Sequence, residues 1–167
     1  MTIDPQFRVG APAPKVQLDA ASGRRIDLAD MKGRTVVLVF YPADWSPVCG
    51  DELDVFNIAL PLFTEIGSVV LGVSVDSVWS HKAFADQHHL RIDLLSDFEP
   101  KGSVSREFGM YDDRAGRSKR GLVIIDGDGV VRWAVVYPDD VNPGVDEVLR
   151  IAGQLTHTPA GTLEDAR

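Results

Sequence analysis

Residues 34–49 read RTVVLVFYPADWSPVC, and this stretch decides the fold because it joins a buried strand directly to a helix. Its first part, residues 34–40, is rich in β-branched residues, which is typical of a strand that is covered on both faces. Ser46 followed by Pro47 has the residue types that favour the N-cap and the first turn of an α-helix. The stretch therefore predicts a strand whose carboxyl end leads into a helix that starts at Pro47.

Apolar patterning predicts further strands and helices on both sides of this stretch. Their order resembles that of a thioredoxin-like domain: an α/β fold with a mixed central sheet flanked by helices and an N-terminal β-hairpin extension. Pro61 lies inside the apolar pattern of the first helix and predicts a kink or a break near residue 60. In chain order, the predicted elements are strands 15–19 and 24–28, strand 34–40, the helix after Ser46, strand 68–75, a helix at about 78–89, strand 92–95, a helix at about 101–108, strands 121–125 and 130–136, and a helix from about 144 to 155.

The composition is that of a globular domain, with 44% hydrophobic and 25% charged residues. The chain has no internal repeat, low-complexity tract or long linker, so residues 1–155 are predicted to form a single domain. Residues 156–167 are polar and contain Pro and Gly, and we interpret them as a C-terminal tail.

The chain is acidic: 17 of its 167 residues are Lys or Arg and 25 are Asp or Glu, which gives a formal net charge of -8. Neutralising the phosphates of a nucleic acid needs clustered Lys and Arg, so no nucleic-acid partner is expected. No segment approaches the roughly 20 apolar residues of a membrane helix, and the N-terminus has no cationic start followed by an apolar run. We therefore expect a cytoplasmic protein with no membrane partner.

Cys49 is the single cysteine of the chain, which excludes an intramolecular disulfide and a multi-cysteine zinc site. His81, His88 and His89 show no ligand spacing with carboxylates, and we interpret them as solvated helix residues. Residues 126–129, DGDG, resemble a calcium loop, but the other ligands are missing and a hairpin turn fits better. The sequence therefore predicts neither a metal nor a cofactor.

The predicted helix places Cys49 at its third position, counting Pro47 as the first. There the sulfur faces the positive end of the helix dipole and lies near backbone N–H groups that have no intrahelical acceptor. Both effects favour the thiolate over the thiol, so Cys49 is a candidate nucleophile. The alternative is that Cys49 is a small buried apolar residue, as many lone cysteines are.

The same residues resemble the active-site signature of the peroxiredoxins, the alkyl hydroperoxide reductase / thiol-specific antioxidant superfamily. The signature here is Pro42-x-x-x-Ser46-x-x-Cys49, whose fifth position is Thr or Ser in that family. Together with further matches it spans about residues 9–155. Those matches are, in order, Gly10-Ala11-Pro12-Ala13-Pro14, the approach from Val36 to Tyr41, Glu52, the strand end from Gly72 to Ser77, and Arg120 ahead of Gly121 to Gly129.

The resemblance implies a role for each of five residues. Cys49 would be the peroxidatic nucleophile, and Ser46 Oγ–H together with the backbone N–H of Cys49 would bind the peroxide. Arg120 would favour the thiolate and also bind the peroxide, and Pro42 would shield the sulfur from water. Glu52 would orient Arg120 through a bidentate contact. Taken singly, Ser46 also fits a plain N-cap, Pro42 a strand terminator, Glu52 a favourable first-turn anion and Arg120 a surface residue.

Departures from the wider family indicate a one-cysteine enzyme of the AhpE-like group. A resolving cysteine is absent five residues downstream, where Asp54 stands, and from residues 156–167. The resemblance implies reduction of hydrogen peroxide and organic hydroperoxides through a sulfenic acid on Cys49. The reductant would be an external thiol: a low-molecular-weight thiol, a glutaredoxin- or mycoredoxin-like protein, or a thioredoxin-like protein. The resemblance also implies a homodimer.

Two other functions compete with a peroxidase. A thioredoxin-fold thiol–disulfide oxidoreductase needs C-x-x-C at the helix start and a proline just before the hairpin strand. Residues 47–50 read PVCG, and no proline stands between Pro100 and Pro138. A non-catalytic redox-sensing or holdase module would not need Ser46, Cys49 and Arg120 together, although such a role could coexist with catalysis.

Overall fold

The structure, a computed structural model, describes residues 9–157. They form a mixed sheet of seven strands with helices packed against it. Within these residues, no helix is both long enough and apolar enough to cross a membrane. In chain order the elements are β1 (Gln17–Ala20), β2 (Arg25–Asp27), a 3-10 helix (Leu28–Met31), β3 (Thr35–Phe40), α1 (Pro47–Glu65), β4 (Ser68–Ser74), α2 (Val78–His88), β5 (Asp93–Ser96), α3 (Ser103–Glu107), β6 (Tyr111–Asp112), β7 (Arg117–Ser118), β8 (Arg120–Ile125), β9 (Val131–Tyr137) and α4 (Asp146–His157).

The strand order is β2-β1-β5-β4-β3-β8-β9, with β3 near the middle of the sheet. β3 is parallel to β4 and antiparallel to β8, and β8 forms an antiparallel hairpin with β9. The sheet is therefore mixed. The N-terminal hairpin extends the sheet at its other edge, where β1 pairs antiparallel with β5. The predicted α/β fold with a mixed sheet and an N-terminal hairpin is therefore confirmed.

All six residues of β3 are buried, as the run of β-branched residues predicts. Successive side chains of a strand point to opposite faces, so β3 contributes to two cores. Val36, Leu38 and Phe40 pack on the face that also contains Phe108, next to α3. Residues 37, 39 and 41 face the second core, which is formed with α1, α2 and α4. The carboxyl end of β3 thus emerges between two packed layers, directly before α1.

Helix α1 is not broken near residue 60. It runs from Pro47 to Glu65 with Pro61 inside it. Pro61 cannot donate a hydrogen bond to the carbonyl of Asn57 four residues earlier, but it lies on the exposed side of the helix, where water can reach that carbonyl. Phe56 and Phe63, which precede and follow the proline, are both buried in the core beneath the helix. The helix therefore stays packed against the sheet on both sides of Pro61.

Two features differ from the sequence-based expectations at the C-terminal side of the sheet. The short β6–β7 hairpin connects α3 to β8 and was not predicted, because strands of two residues leave no periodic pattern. Helix α4 continues to His157, so the predicted tail does not begin at Thr156. Residues 158–167, the rest of that predicted tail, lie outside the described residues.

Candidate active site

Cys49 lies in the first turn of α1, directly beyond the carboxyl end of β3. Ser46 is the N-cap, with extended φ and ψ of −72° and 134°, and Pro47 begins the helix. Cys49 is therefore the third helical residue, as predicted, and it is fully buried. It packs in the core that also contains Tyr41 and Leu53. A backbone N–H at the third helical position has no intrahelical acceptor, so it is available to a ligand or to the sulfur.

Arg120 comes to Cys49 from the neighbouring strand. It is the first residue of β8, and the next residue, Gly121, pairs with Phe40 at the end of β3. Antiparallel pairing thus brings the start of β8 beside the end of β3, where α1 begins. The Arg120 side chain is fully buried, and its Nη2 donates to Cys49 Sγ at 3.3 Å.

All three guanidinium nitrogens of Arg120 have partners. Nε and Nη2 donate to the carbonyl oxygen of Asp139 at 3.2 and 2.9 Å, and Nη1 donates to Glu52 Oε2. Burial lowers the pKa of Arg120, but the neighbouring Glu52 and Cys49 outweigh it and leave this pKa above its ordinary value. Arg120 is therefore a fixed positive charge at the sulfur.

Glu52 lies three residues after Cys49 on the same helix and is fully buried. The structure brings it to Arg120, but through Oε2 alone and not through the bidentate contact expected from the sequence. Within the described residues, Oε1 makes no hydrogen bond. Burial raises the pKa of Glu52 to about 7, against the opposing effect of Arg120. One carboxylate oxygen is used because the other guanidinium nitrogens are already bound to Asp139 and Cys49.

Pro42 and Ser46 lie at the two ends of the loop between β3 and α1. Pro42 is buried directly beyond the strand, and Ser46 is half-buried. Over the part of the chain that the structure describes, the Ser46 hydroxyl makes no capping hydrogen bond to the helix. The loop thus contains, within seven residues of Cys49 in sequence, a residue without an N–H and an N-cap hydroxyl that does not bond to the helix.

His81 corrects one interpretation made from the sequence. It is fully buried and not solvated, with Nδ1 at 2.9 Å from Asp44 Oδ2 and Nε2 at 3.1 Å from the carbonyl oxygen of Leu95. Its partners come from two other elements, so the helix sequence alone does not reveal them. The sequence signal that could have indicated the burial of His81 is its spacing of three residues from Phe84, because these two residues form the buried face of α2.

The other two histidines of this region also have defined places. His88 is partly buried, with Nδ1 at 3.2 Å from Asp54, the residue five positions after Cys49. His89 ends α2 in a left-handed conformation, with φ of 53°. In the part of the chain that the structure describes, neither belongs to a group of three or more His, Cys, Asp or Glu residues that could hold a metal ion.

One group of described residues has a spacing that a metal ion could use. Ligand atoms of Asp44, Asp76 and His81 all lie within 4.8 Å of one another. These atoms are already hydrogen-bonded to protein groups, including Tyr41 and Ser74. Satisfied ligands of this kind form a structural network, and nothing in their geometry points to an ion.

A family model and individual known proteins of the same family both match this chain. A family model described as the AhpC/TSA family matches residues 9–134. The chain is 32% identical over 153 residues to a peroxiredoxin of Thermoplasma volcanium, covering 88% of this chain and 74% of that protein. It is 36% identical over 129 residues to alkyl hydroperoxide reductase E of Mycobacterium bovis, covering 77% of this chain and 84% of that protein.

Solved structures agree with these relatives. The reduced 2-Cys peroxiredoxin of Plasmodium vivax matches with a TM-score of 0.81 at 30% identity, over 89% of this chain and 82% of that one. Peroxidoxin BcpB of Mycobacterium tuberculosis matches with a TM-score of 0.79 at 26% identity, over 89% of this chain and 98% of that one. The thioredoxin-like fold expected from the element order is confirmed by these likenesses. The chain therefore belongs to the AhpC/TSA family, the family of the peroxiredoxins and alkyl hydroperoxide reductases, and is an oxidoreductase of the peroxidase class.

Proposed function

We propose that the chain reduces hydrogen peroxide and organic hydroperoxides through a sulfenic acid on Cys49, which an external thiol then reduces. The observation that supports this most directly is the contact of Arg120 Nη2 with Cys49 Sγ at 3.3 Å. A buried guanidinium beside a sulfur at a helix N-terminus favours the thiolate, which is the nucleophilic form.

In the proposed first step, the Cys49 thiolate attacks the terminal oxygen of the hydroperoxide. A sulfur–oxygen bond forms while the oxygen–oxygen bond breaks, so Cys49 is oxidised to the sulfenic acid and the peroxide is reduced. The leaving alkoxide or hydroxide takes up a proton and departs as an alcohol or as water. Negative charge spreads over the sulfur and both oxygens during this step, so donors fixed along that line lower the barrier.

The site residues have different roles in this first step. Arg120 supplies a permanent positive charge, and Ser46 Oγ–H together with the backbone N–H of Cys49 supplies further donors. Pro42 forms a wall without an N–H donor and shields the sulfur from bulk water. Glu52 positions Arg120 through the contact with Nη1.

The second half of the cycle requires thiols from outside the chain, because Cys49 is its only cysteine. One thiol attacks the sulfenic sulfur, which forms a mixed disulfide and releases water. A second thiol then attacks the mixed disulfide, which restores Cys49 and leaves the reductant as a disulfide. The reductant is a low-molecular-weight thiol, a glutaredoxin- or mycoredoxin-like protein, or a thioredoxin-like protein.

Two further aspects of this proposal concern the cellular setting. A single cysteine that depends on thiols from other molecules fits a reducing compartment, which supports a cytoplasmic location. A homodimer is the proposed assembly, from the likeness to the peroxiredoxin family.

Rapid mixing of the reduced protein with one equivalent of hydrogen peroxide tests the proposed function. We expect a rapid change in tryptophan fluorescence and, by intact mass, an adduct of one oxygen on Cys49. Both should be absent in Cys49→Ser. Oxidation no faster than that of free cysteine under the same conditions would refute the proposed function.

A further inference from the structure

Asp44 is the centre of a buried network in the loop between β3 and α1, the loop that contains Pro42 and Ser46. Its carboxyl group makes hydrogen bonds with three side chains. Tyr41 Oη donates to Oδ1 at 2.8 Å, and Ser80 Oγ donates to Oδ2 at 2.8 Å. His81 Nδ1 is 2.9 Å from Oδ2, and neither the imidazole nor the carboxylate is exposed to solvent.

The partners of His81 determine where its protons lie. Nε2 faces the carbonyl oxygen of Leu95, which can only accept, so Nε2 bears a proton. Burial, with a smaller effect of Asp44, raises the pKa of Tyr41 well above its ordinary value, so the Tyr41 hydroxyl stays protonated and donates to Asp44. Nδ1 of His81 and Oδ2 of Asp44 then form a hydrogen bond at 2.9 Å, and both side chains are fully buried. These contacts describe a buried histidine–aspartate pair.

The same loop is also held through its backbone and through the next residue. The N–H of Asp44 donates to Asp76 Oδ2 at 2.9 Å, beyond the end of β4. Trp45 has a φ of 65°, a left-handed conformation that is unfavourable for a bulky residue. Trp45 Nε1 donates to Ser80 Oγ at 3.2 Å, and its ring packs edge-on against Phe84. Helix α2 therefore supports the loop at two consecutive residues.

We propose that His81 is a positioning residue for the peroxide site, which acts by holding Asp44 and thereby fixing the loop that places Pro42 and Ser46 around Cys49. This inference rests on the proposed peroxidase function. Loops that bear reacting groups must hold them to within about 1 Å, because a larger displacement costs on the order of a hundredfold in rate. The Pro42 wall and the Ser46 hydroxyl lie on either side of Asp44 in sequence, so releasing Asp44 would displace both.

Two substitutions of His81 separate its two contacts. In His81→Asn the amide can take the place of Nδ1 and donate to Asp44, whereas in His81→Gln it reaches the place of Nε2 and donates to Leu95 O. Two rates are measured for each reduced protein at one pH: the second-order rate constant with hydrogen peroxide, and that of alkylation by iodoacetamide. Alkylation needs a reactive sulfur but not the peroxide-binding donors.

We expect His81→Gln to lower the peroxide rate constant at least about tenfold and His81→Asn to keep it within about threefold of the wild type. Alkylation should change by less than about twofold in both variants. Equal loss of peroxide reactivity in the two variants, unchanged peroxide reactivity in His81→Gln, or parallel loss of alkylation would each overturn the inference. A wild-type rate no faster than that of free cysteine would refute the peroxidase function itself, which is a separate outcome.

A measurement on the wild type tests the pair even where a variant does not fold. Nitrogen-15 NMR of the histidine rings distinguishes a hydrogen-bonded from a free Nδ1. A hydrogen-bonded Nδ1 in His81 supports the pair with Asp44. A free Nδ1 would overturn the inference, because His81 would then not hold Asp44.

Discussion

Arg120 and Cys49 are 71 residues apart in the chain, and yet Arg120 Nη2 lies 3.3 Å from Cys49 Sγ. The pairing of β3 with β8 produces this contact, because Phe40 at the end of β3 lies opposite Gly121. Both side chains are fully buried, where a charge acts more strongly on its neighbour than it does in water. The contact therefore places a buried positive charge directly at the sulfur of Cys49.

Removing the guanidinium should slow oxidation of Cys49. We expect Arg120→Ala to lower the second-order rate constant with hydrogen peroxide on the order of a hundredfold, because a fixed donor and a positive charge are both lost. Arg120→Lys keeps the charge but cannot reach Cys49, Glu52 and the Asp139 carbonyl at once, so an intermediate rate is expected. Stopped-flow fluorescence measures each rate.

Arg114→Ala is the matched control, since Arg114 is exposed in the turn between β6 and β7. Its rate should equal that of the wild type. If Arg120→Ala reacted as fast as Arg114→Ala, the guanidinium would have no role in the oxidation step. Circular dichroism of all three variants establishes that the fold is retained.

Glu52 should make the stability of the protein depend on pH. Burial raises the pKa of Glu52 from 4.5 to about 7, so the folded state holds a proton more tightly than the unfolded state does. The stabilising contribution is therefore complete below pH 4.5, is lost as the pH rises to about 7, and is absent above that value. Glu52→Gln removes this titratable carboxyl group, so the loss of stability caused by Glu52 ionisation should be absent from the variant.

Urea unfolding between pH 4 and pH 8 checks this expectation, with Glu65→Gln at the exposed end of the same helix as control. The free energy of unfolding of the wild type should fall relative to Glu52→Gln by on the order of a few kcal/mol as the pH rises. Glu65→Gln should follow the wild type. A rise in place of a fall would mean that the charge of Arg120, and not burial, dominates the ionisation of Glu52.

The elements around Cys49 could be predicted because their signals are local. Ser46 and Pro47 define a helix start within two residues, and the β-branched residues of 34–40 define a buried strand. The position of Cys49 in the first helical turn follows from them. Bringing Arg120 to the same place needed the family resemblance, because strand pairing across the chain leaves no local pattern.

The buried state of His81 could not be predicted in this way. Its partner Asp44 is 37 residues away in the chain, and the carbonyl of Leu95 belongs to a third element. A histidine on a helix becomes a core residue only where other elements supply partners for both ring nitrogens. The single carboxylate contact of Glu52 has a similar origin, since it depends on the carbonyl of Asp139 that binds the rest of the guanidinium.

Excess peroxide should inactivate the protein by further oxidation of Cys49. No second cysteine in the chain can trap the sulfenic acid, so it remains exposed to another peroxide molecule. Intact mass after treatment with excess hydrogen peroxide, in the absence of thiols, should show an adduct of two oxygens. Adding a low-molecular-weight thiol before the peroxide should suppress that adduct, and a sulfinic acid that forms equally with and without this thiol would contradict reduction of Cys49 by a low-molecular-weight thiol.

The packing beneath the candidate active site predicts opposite effects for two glycine substitutions. A Cβ at Gly72 in β4 would lie 2.7 Å from Leu94 Cδ2 and 3.3 Å from Tyr41 Cε1. Both neighbours are fully buried and cannot move freely, so Gly72→Ala should destabilise the protein by about 1–3 kcal/mol. A Cβ at Gly153 in α4 would lie 4.0 Å from its nearest neighbour, Ile66 Cδ1.

Gly153→Ala should therefore stabilise the protein by about 0.5–1 kcal/mol, because alanine loses less backbone entropy than glycine on entering a helix. The difference between the two variants is a test of the packing around Tyr41, since each adds one methyl group to a glycine with an ordinary backbone conformation. Urea midpoints at constant m-value measure both effects. Equal midpoints would mean that the core next to Tyr41 yields to an added methyl group, and such a core would not hold the loop beyond β3 in one place around Cys49.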